Sequence, residues 1–193
     1  MSDPDQGSGI KDSGCGIRRG LRIKDEGLRI RAAWSELSAA SLPAWPLRIG
    51  ARPHISILVV DQASPESIDT IFRSMLSTAP FEIVFGSADH FEVDDAIVFL
   101  KPDVSSDLHR LNKRAVAEAR SCGLIPRHHE EEWIPHCTCD YQVGKAQLSI
   151  GLSILKQLLP LQARVQELGY VEVTPESVRQ IATAPLGVTQ ESP

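Results

Sequence analysis

Two short stretches carry residues able to do acid and base chemistry on a phosphate: Arg52-Pro53-His54-Ile55-Ser56 and Ile134-Pro135-His136-Cys137-Thr138. In each, a Pro directly precedes a His and a hydroxyl residue follows two positions later. In a strand, residues i and i+2 share a face. His54 and Ser56 are therefore expected on one side with Ile55 and Ile57 opposite, and His136 and Thr138 on one side with Cys137 and Cys139 opposite. Cleaving a phosphodiester requires removal of a proton from the attacking oxygen and delivery of one to the departing oxygen. Imidazole titrates near neutral pH and serves as base in one protonation state and acid in the other. Ser56 and Thr138 would donate to the non-bridging oxygens, where charge grows in the transition state. Two such pairs could act together on one phosphate, and nothing in this scheme needs a metal or a cofactor.

The elements that must position these groups follow from hydropathy and punctuation. Residues 54–61 read as a strand, and Ser64-Pro65-Glu66 opens a helix with Ile68, Ile71, Phe72, Met75 and Leu76 on one face. Residues 81–85 and 96–100 read as strands separated by a turn region over 86–95. Ser105 or Ser106 caps a further helix, with Leu108, Leu111, Ala115 and Ala119 at helical spacing, ended by Cys122-Gly123. Upstream, residues 31–41 read as a helix stopped by Pro43 and Pro46. After the second motif the order recurs: a helix over 149–159, strand-like runs over 163–168 and 170–173, and a last strand over 178–184. Aligning His54 with His136 sets Phe81 opposite Ala163. The pattern is a duplicated α-β-α-β-β lobe, lobe 1 over about 45–103 and lobe 2 over about 128–187. Residues 1–27 are expected to be a disordered or loosely attached tail, and 28–193 the folded domain. Within 17–30, apolar and basic residues alternate, which reads either as an entering strand or as a solvated connector.

The chain has 193 residues, 42% of them hydrophobic, and a formal net charge of -5. That excludes a general nucleic-acid coat protein, whose affinity comes from clustered Lys and Arg, and leaves a small phosphate-bearing ligand or one RNA end compatible. No apolar run is long enough to cross a bilayer, and the N-terminus lacks the pattern of a signal peptide. A cytoplasmic address is expected. Cys15, Cys122, Cys137 and Cys139 show no CxxC spacing and are read as reduced thiols.

The pair of Pro-His-x-[Ser/Thr] motifs, about eighty residues apart in a duplicated lobe, resembles the two-histidine (2H) phosphoesterase superfamily, which contains 2'-5' RNA ligases and RNA 2',3'-cyclic phosphodiesterases. The resemblance covers residues 28–187. It implies an α+β, bilobal fold in which two antiparallel sheets form a central cleft with one motif on each wall. Matched position by position, it gives His54 and His136 catalytic places and Ser56 and Thr138 phosphate-binding places. Ser56 stands where Thr is frequent, and Cys139 where an aliphatic residue is more usual. The implied activity is metal-independent hydrolysis of a 2',3'-cyclic phosphate, or a related cyclic or 2'-5' phosphodiester, on an RNA end or small nucleotide. No cofactor, membrane or obligate protein partner is expected, and the chain is expected to be a monomer.

Arg52, Trp133 and Tyr141 are further candidates for substrate contact, the aromatics by stacking on a base. Simple alternation puts Tyr141 on the face of Cys137 and Cys139 unless a bulge intervenes. A zinc site from His128, His129, His136, Cys137 and Cys139 is disfavoured, because in a strand His136 and the cysteines point to opposite faces. The alternative function is a module that binds a nucleotide or RNA end in the same cleft without turning it over. Specificity is expected in loops around 62–65, 86–95 and 127–132.

Overall fold

The computed structural model describes residues 16–23, 27–92, 95–128, 132–174 and 176–188, and for residues 16–20, 22 and 23 it describes the backbone. In chain order the elements are β1 (Gly16–Ile23), α1 (Gly27–Ala39), α2 (Trp45–Arg48), β2 (His54–Val60), α3 (Pro65–Met75), β3 (Phe81–Phe91), β4 (Ala96–Pro102), α4 (Ser106–Ser121), β5 (Cys137–Val143), α5 (Lys145–Lys156), β6 (Leu161–Val173) and β7 (Val178–Pro185). From α2 onward the order reads α-β-α-β-β twice.

Local chemistry accounts for the helix starts. The Ser64 hydroxyl accepts the Ser67 N–H, with Pro65 at the first helical position of α3. The Ser105 hydroxyl accepts the Leu108 N–H at the start of α4, which ends at Cys122 before the left-handed Gly123. Both helices bury the apolar face that the sequence spells out: Ile68, Ile71, Phe72 and Met75 on α3, and Leu108, Leu111, Ala115, Val116 and Ala119 on α4.

Every strand pairing is antiparallel, in the order β2-β1-β6-β3-β4-β5, with β7 also on β6. The fold is α+β, but hydrogen bonding joins the expected two sheets into one. The reason is β6, a 13-residue strand whose first part pairs with β3 through residues 161–165 and whose later part pairs with β1 and β7. The two runs expected over 163–168 and 170–173 are one strand, because Gly169 is paired on both edges, with Gly20 and with Thr183. The halves in space are not the halves in sequence. The motif strand β2 shares its half with β1, β6 and β7, whereas β5 shares its half with β3 and β4. Helix α4 covers β2 and packs on α3, and α5 covers β3 and β4 and packs on α1.

Three further features depart from the sequence reading. Part of the segment expected to be a loose tail, 16–23, is an inner strand with a ladder on each edge, which is the strand alternative of the two readings offered for 17–30; residues 1–15, with Cys15, lie outside the described residues. Strand β3 continues to Phe91 through the region expected to turn. Gly86 is an extra residue opposite the step from Lys101 to Pro102, where a Cβ would collide with the Asp103 carboxylate. Pro43 and Pro46 do not end in a plain loop, since Pro46 lies within the four-residue α2. The core is continuous across the molecule, and its fully buried side chains include Trp34, Leu37, Ile55, Ile57, Ile71, Phe85, Leu100 and Leu161. No helix among the described residues is long and apolar enough to cross a membrane.

Candidate functional site

His54 is the first residue of β2 and His136 immediately precedes β5. Both are half-buried. Their rings are held alike: Nδ1 of His54 lies 2.7 Å from the Arg52 carbonyl oxygen, and Nδ1 of His136 lies 2.7 Å from the Ile134 carbonyl oxygen. A carbonyl can only accept, so Nδ1 carries the proton in both rings. In the neutral imidazole Nε2 then holds the lone pair, and in the cation it holds the transferable proton. The intervening prolines, with φ fixed by the ring, turn each carbonyl back toward its histidine.

The strands repeat one burial pattern. From His54 the side chains run half-buried, buried, half-buried, buried, buried, half-buried to Val59, and from His136 they run the same way to Tyr141. The break in alternation is a β-bulge at the same place in each strand. Ser56 pairs with Gly20 and Leu58 with Arg19, leaving Ile57 extra; Thr138 pairs with Phe99 and Asp140 with Val98, leaving Cys139 extra. A bulge tilts the residues beyond it and increases local twist. Ser56 and Thr138 stay on the side of their histidines, while Ile55, Ile57, Cys137 and Cys139 are fully buried on the other. The Asn112 side-chain N–H donates to the Ile57 carbonyl at 2.8 Å, at the residue the bulge displaces.

Although β2 and β5 are the two ends of the hydrogen-bonded strand order, they meet. The backbone N–H of His54 faces the Cys137 thiol where the two strands meet, so the two motifs adjoin. Burial, opposed by that N–H, pushes the Cys137 thiol up to about 12, and burial foremost raises Cys139 as well. Neither is a ready thiolate at neutral pH. The indole N–H of buried Trp34 faces the Cys139 sulfur and has no oxygen acceptor. With both thiols on the core side and His136 on the other, the weighed zinc set does not converge; among the described residues no three His, Cys, Asp or Glu do so, and His129 lies outside them.

Two adjoining cavities open on this junction. The larger, about 1000 Å³, is lined by Ser56, His136 and Trp133. The smaller, about 70 Å³, is lined by Arg52, His54 and Thr138. Each histidine thus shares a cavity with the hydroxyl of the other motif. Trp45, Ile49, Tyr141 and Val173 line both. All seven residues singled out from the sequence therefore reach these walls. Trp133 also has a structural role: its indole N–H donates to the Ser56 carbonyl at 3.1 Å and its ring meets His109 edge-on at 5.6 Å.

Tyr141 is not on the face of the two cysteines. The bulge at Cys139, and a second register shift between Val98 and Ala96 where Gln142 takes a left-handed φ of 59°, turn it out to the cavities. There its ring lies 4.5 Å from that of Trp45.

Several residues of the site went unread in the sequence. Phe91 and Phe99 pack against the His136 ring at 5.0 and 5.2 Å. Asp140 is fully buried and accepts the backbone N–H groups of Ala44 at 2.8 Å and Trp45 at 2.9 Å, together with that of Tyr141 at 2.9 Å. Burial raises its carboxyl above the ordinary value, opposed by those three N–H groups and the Arg48 charge. An acid inside an apolar strand was the one signal for it, since buried carboxylates need donors.

A search among curated proteins found no sequence match. Among solved structures, E. coli LigT complexed with 3'-AMP superposes with a TM-score of 0.60 at 13% identity, covering 89% of this chain and 98% of that one. TT0787 of Thermus thermophilus gives 0.59 at 13% identity over 89% and 98%, and E. coli LigT complexed with phosphate gives 0.53 at 15% over 90% and 98%. At these identities the likeness is one of fold. The sequence pattern of the 2'-5' RNA ligase superfamily, however, matches residues 28–174, a span that holds both histidine motifs, the bulges behind them and Asp140, and the chain belongs to that superfamily.

Proposed function

We propose that this chain is a metal-independent phosphodiesterase that opens 2',3'-cyclic phosphates, or a related cyclic or 2'-5' phosphodiester, on RNA ends or small nucleotides. The observation that carries the reading is the matched pair of Nδ1 hydrogen bonds to the Arg52 and Ile134 carbonyls, which leaves Nε2 of both His54 and His136 as the reactive nitrogen. One neutral imidazole takes a proton from water as its oxygen attacks phosphorus. The other, protonated, gives its proton to the departing ribose oxygen as that P–O bond breaks. One proton is taken and one returned, so the histidines end with their charge states exchanged. Ser56 and Thr138 donate to the non-bridging oxygens. The complexes of the structurally similar LigT with 3'-AMP and with phosphate support a nucleotide or phosphate ligand in this fold.

The test is hydrolysis of a 2',3'-cyclic nucleotide between about pH 5 and 9, with and without chelator, by the wild-type chain and His136→Ala. A bell-shaped, chelator-insensitive rate lost in the variant is expected. Nucleotide binding with no turnover would replace this reading with that of a binding module.

A further inference from the structure

Helix α2 is four residues long, and its own sequence cannot hold it. The residue before it, Ala44, sits at a left-handed φ of 52° and has no side chain able to cap. The donors at its start are met by Asp140, 96 positions from Ala44 and 95 from Trp45: Oδ2 takes the Ala44 N–H, and Oδ1 takes the Trp45 N–H together with that of Tyr141. A chain fixed at two adjacent amides cannot rotate about either contact. The side chain so fixed is Trp45, which packs against Tyr141, the residue after Asp140, and lines both cavities. Asp140 touches neither cavity. It is fully buried and lies two residues beyond Thr138.

We propose that Asp140 is a positioning residue for substrate binding: by clamping α2 it holds the Trp45 ring beside Tyr141 as a rigid shelf on which the base of a nucleotide rests while its phosphate lies between the histidines. This rests on the phosphate site assigned above and adds the group that reads the remainder of the substrate. A base stacks on any aromatic face, but a ring on a single turn of helix must be ordered first, and that ordering is a cost to binding. The clamp meets it in advance. The affinity supplied by Asp140 is therefore affinity for the base and not for the phosphate.

The experiment is calorimetric binding of 3'-AMP and of inorganic phosphate to the wild-type chain, Asp140→Asn, Trp45→Ala and the double variant, alongside turnover of a 2',3'-cyclic nucleotide. In Asp140→Asn one carboxylate oxygen becomes an NH₂ that faces an N–H, so the clamp opens with little change in volume. The expected result is 3'-AMP affinity about tenfold weaker in Asp140→Asn and in Trp45→Ala, phosphate affinity within about twofold of wild type, and no further loss in the double variant, because Asp140 acts through Trp45. In turnover the same variant raises KM and leaves kcat within about twofold. Equal weakening of both ligands would mean a merely structural Asp140 and overturn the proposal, as would unchanged 3'-AMP affinity or additive losses. If Asp140→Asn fails to melt cooperatively, Trp45→Ala decides, since it keeps both clamp bonds: undiminished 3'-AMP affinity there overturns the shelf. Wild-type binding of 3'-AMP without turnover would remove the reaction assigned above and leave the clamp to be judged by the binding arm.

Discussion

In the proposed reaction the two histidines would owe their chemistry to carbonyls two residues upstream, and that arrangement can be tested one side chain at a time. Replacing either His54 or His136 by Ala is expected to lower kcat/KM by at least about a hundredfold, the usual worth of a general acid or base, with the melting temperature little changed because both rings are half-buried. Steady-state kinetics beside a thermal melt checks this, and turnover persisting in both variants would end the two-histidine scheme. The thiols behave oppositely. Cys137, pushed up to about 12 by burial, and Cys139, raised by the same cause, are fully buried. Neither should take up an alkylating reagent in the native protein near pH 8, and both should do so in denaturant. Peptide mass mapping reads the difference, and native labelling of Cys137 would contradict its burial behind His54. The residue types that could do chemistry were legible in the sequence as Pro-His-x-[Ser/Thr]. Asp140, Phe91 and Phe99 were not, because their roles exist only where β3, β4, β5 and α2 converge.

At the scale of elements, α2 and the bulged strands decide how the site is built. Asp140 couples them, and its raised carboxyl has a thermodynamic consequence. Its folded form holds a proton more tightly than its unfolded form, so its contribution to stability is fully present below the ordinary carboxylate range, near pH 4. That contribution is lost as pH rises through the raised folded value. Urea unfolding of wild type and Asp140→Asn from about pH 3.5 to 7 should show wild type losing stability relative to the variant as pH increases. A relative gain would mean that the N–H donors outweigh burial. Alternation along a strand predicted His54 and Ser56 on one face correctly and misplaced Tyr141. The bulge at Cys139 depends on its pairing with β4, and no local residue type announces it. The helices with their own caps, α3 and α4, were readable from Ser64 and Ser105; α2, capped from β5, was not.

The whole molecule is tied together by strands that the sequence repeat does not predict to be shared. Strand β6 serves both halves, and β1, from the segment expected to be a tail, separates β2 from β6. A chain beginning at Gly27 would leave β2 with no ladder partner in the sheet and an open edge along β6, exposing the row of unpaired amides that drives association. It is expected to lose the cooperative melt and all turnover, as read by circular dichroism and kinetics. A truncated chain that melts like the full one would show β1 to be dispensable.

What the sequence determined by itself is what depends on near neighbours in the chain: two Pro-His-x-hydroxyl units, capped amphipathic helices, and an α-β-α-β-β order written twice. Each is set by backbone preference and by the period of burial, which act over a few residues. What only the tertiary structure decided is which strands pair, and hence where the bulges fall and which face Tyr141 takes. It also decided that β2 and β5, at opposite ends of the strand order, meet at Cys137 and the His54 amide. Those outcomes depend on hydrogen bonds between residues far apart in the chain, and a pattern with a period of two or four positions holds no record of them.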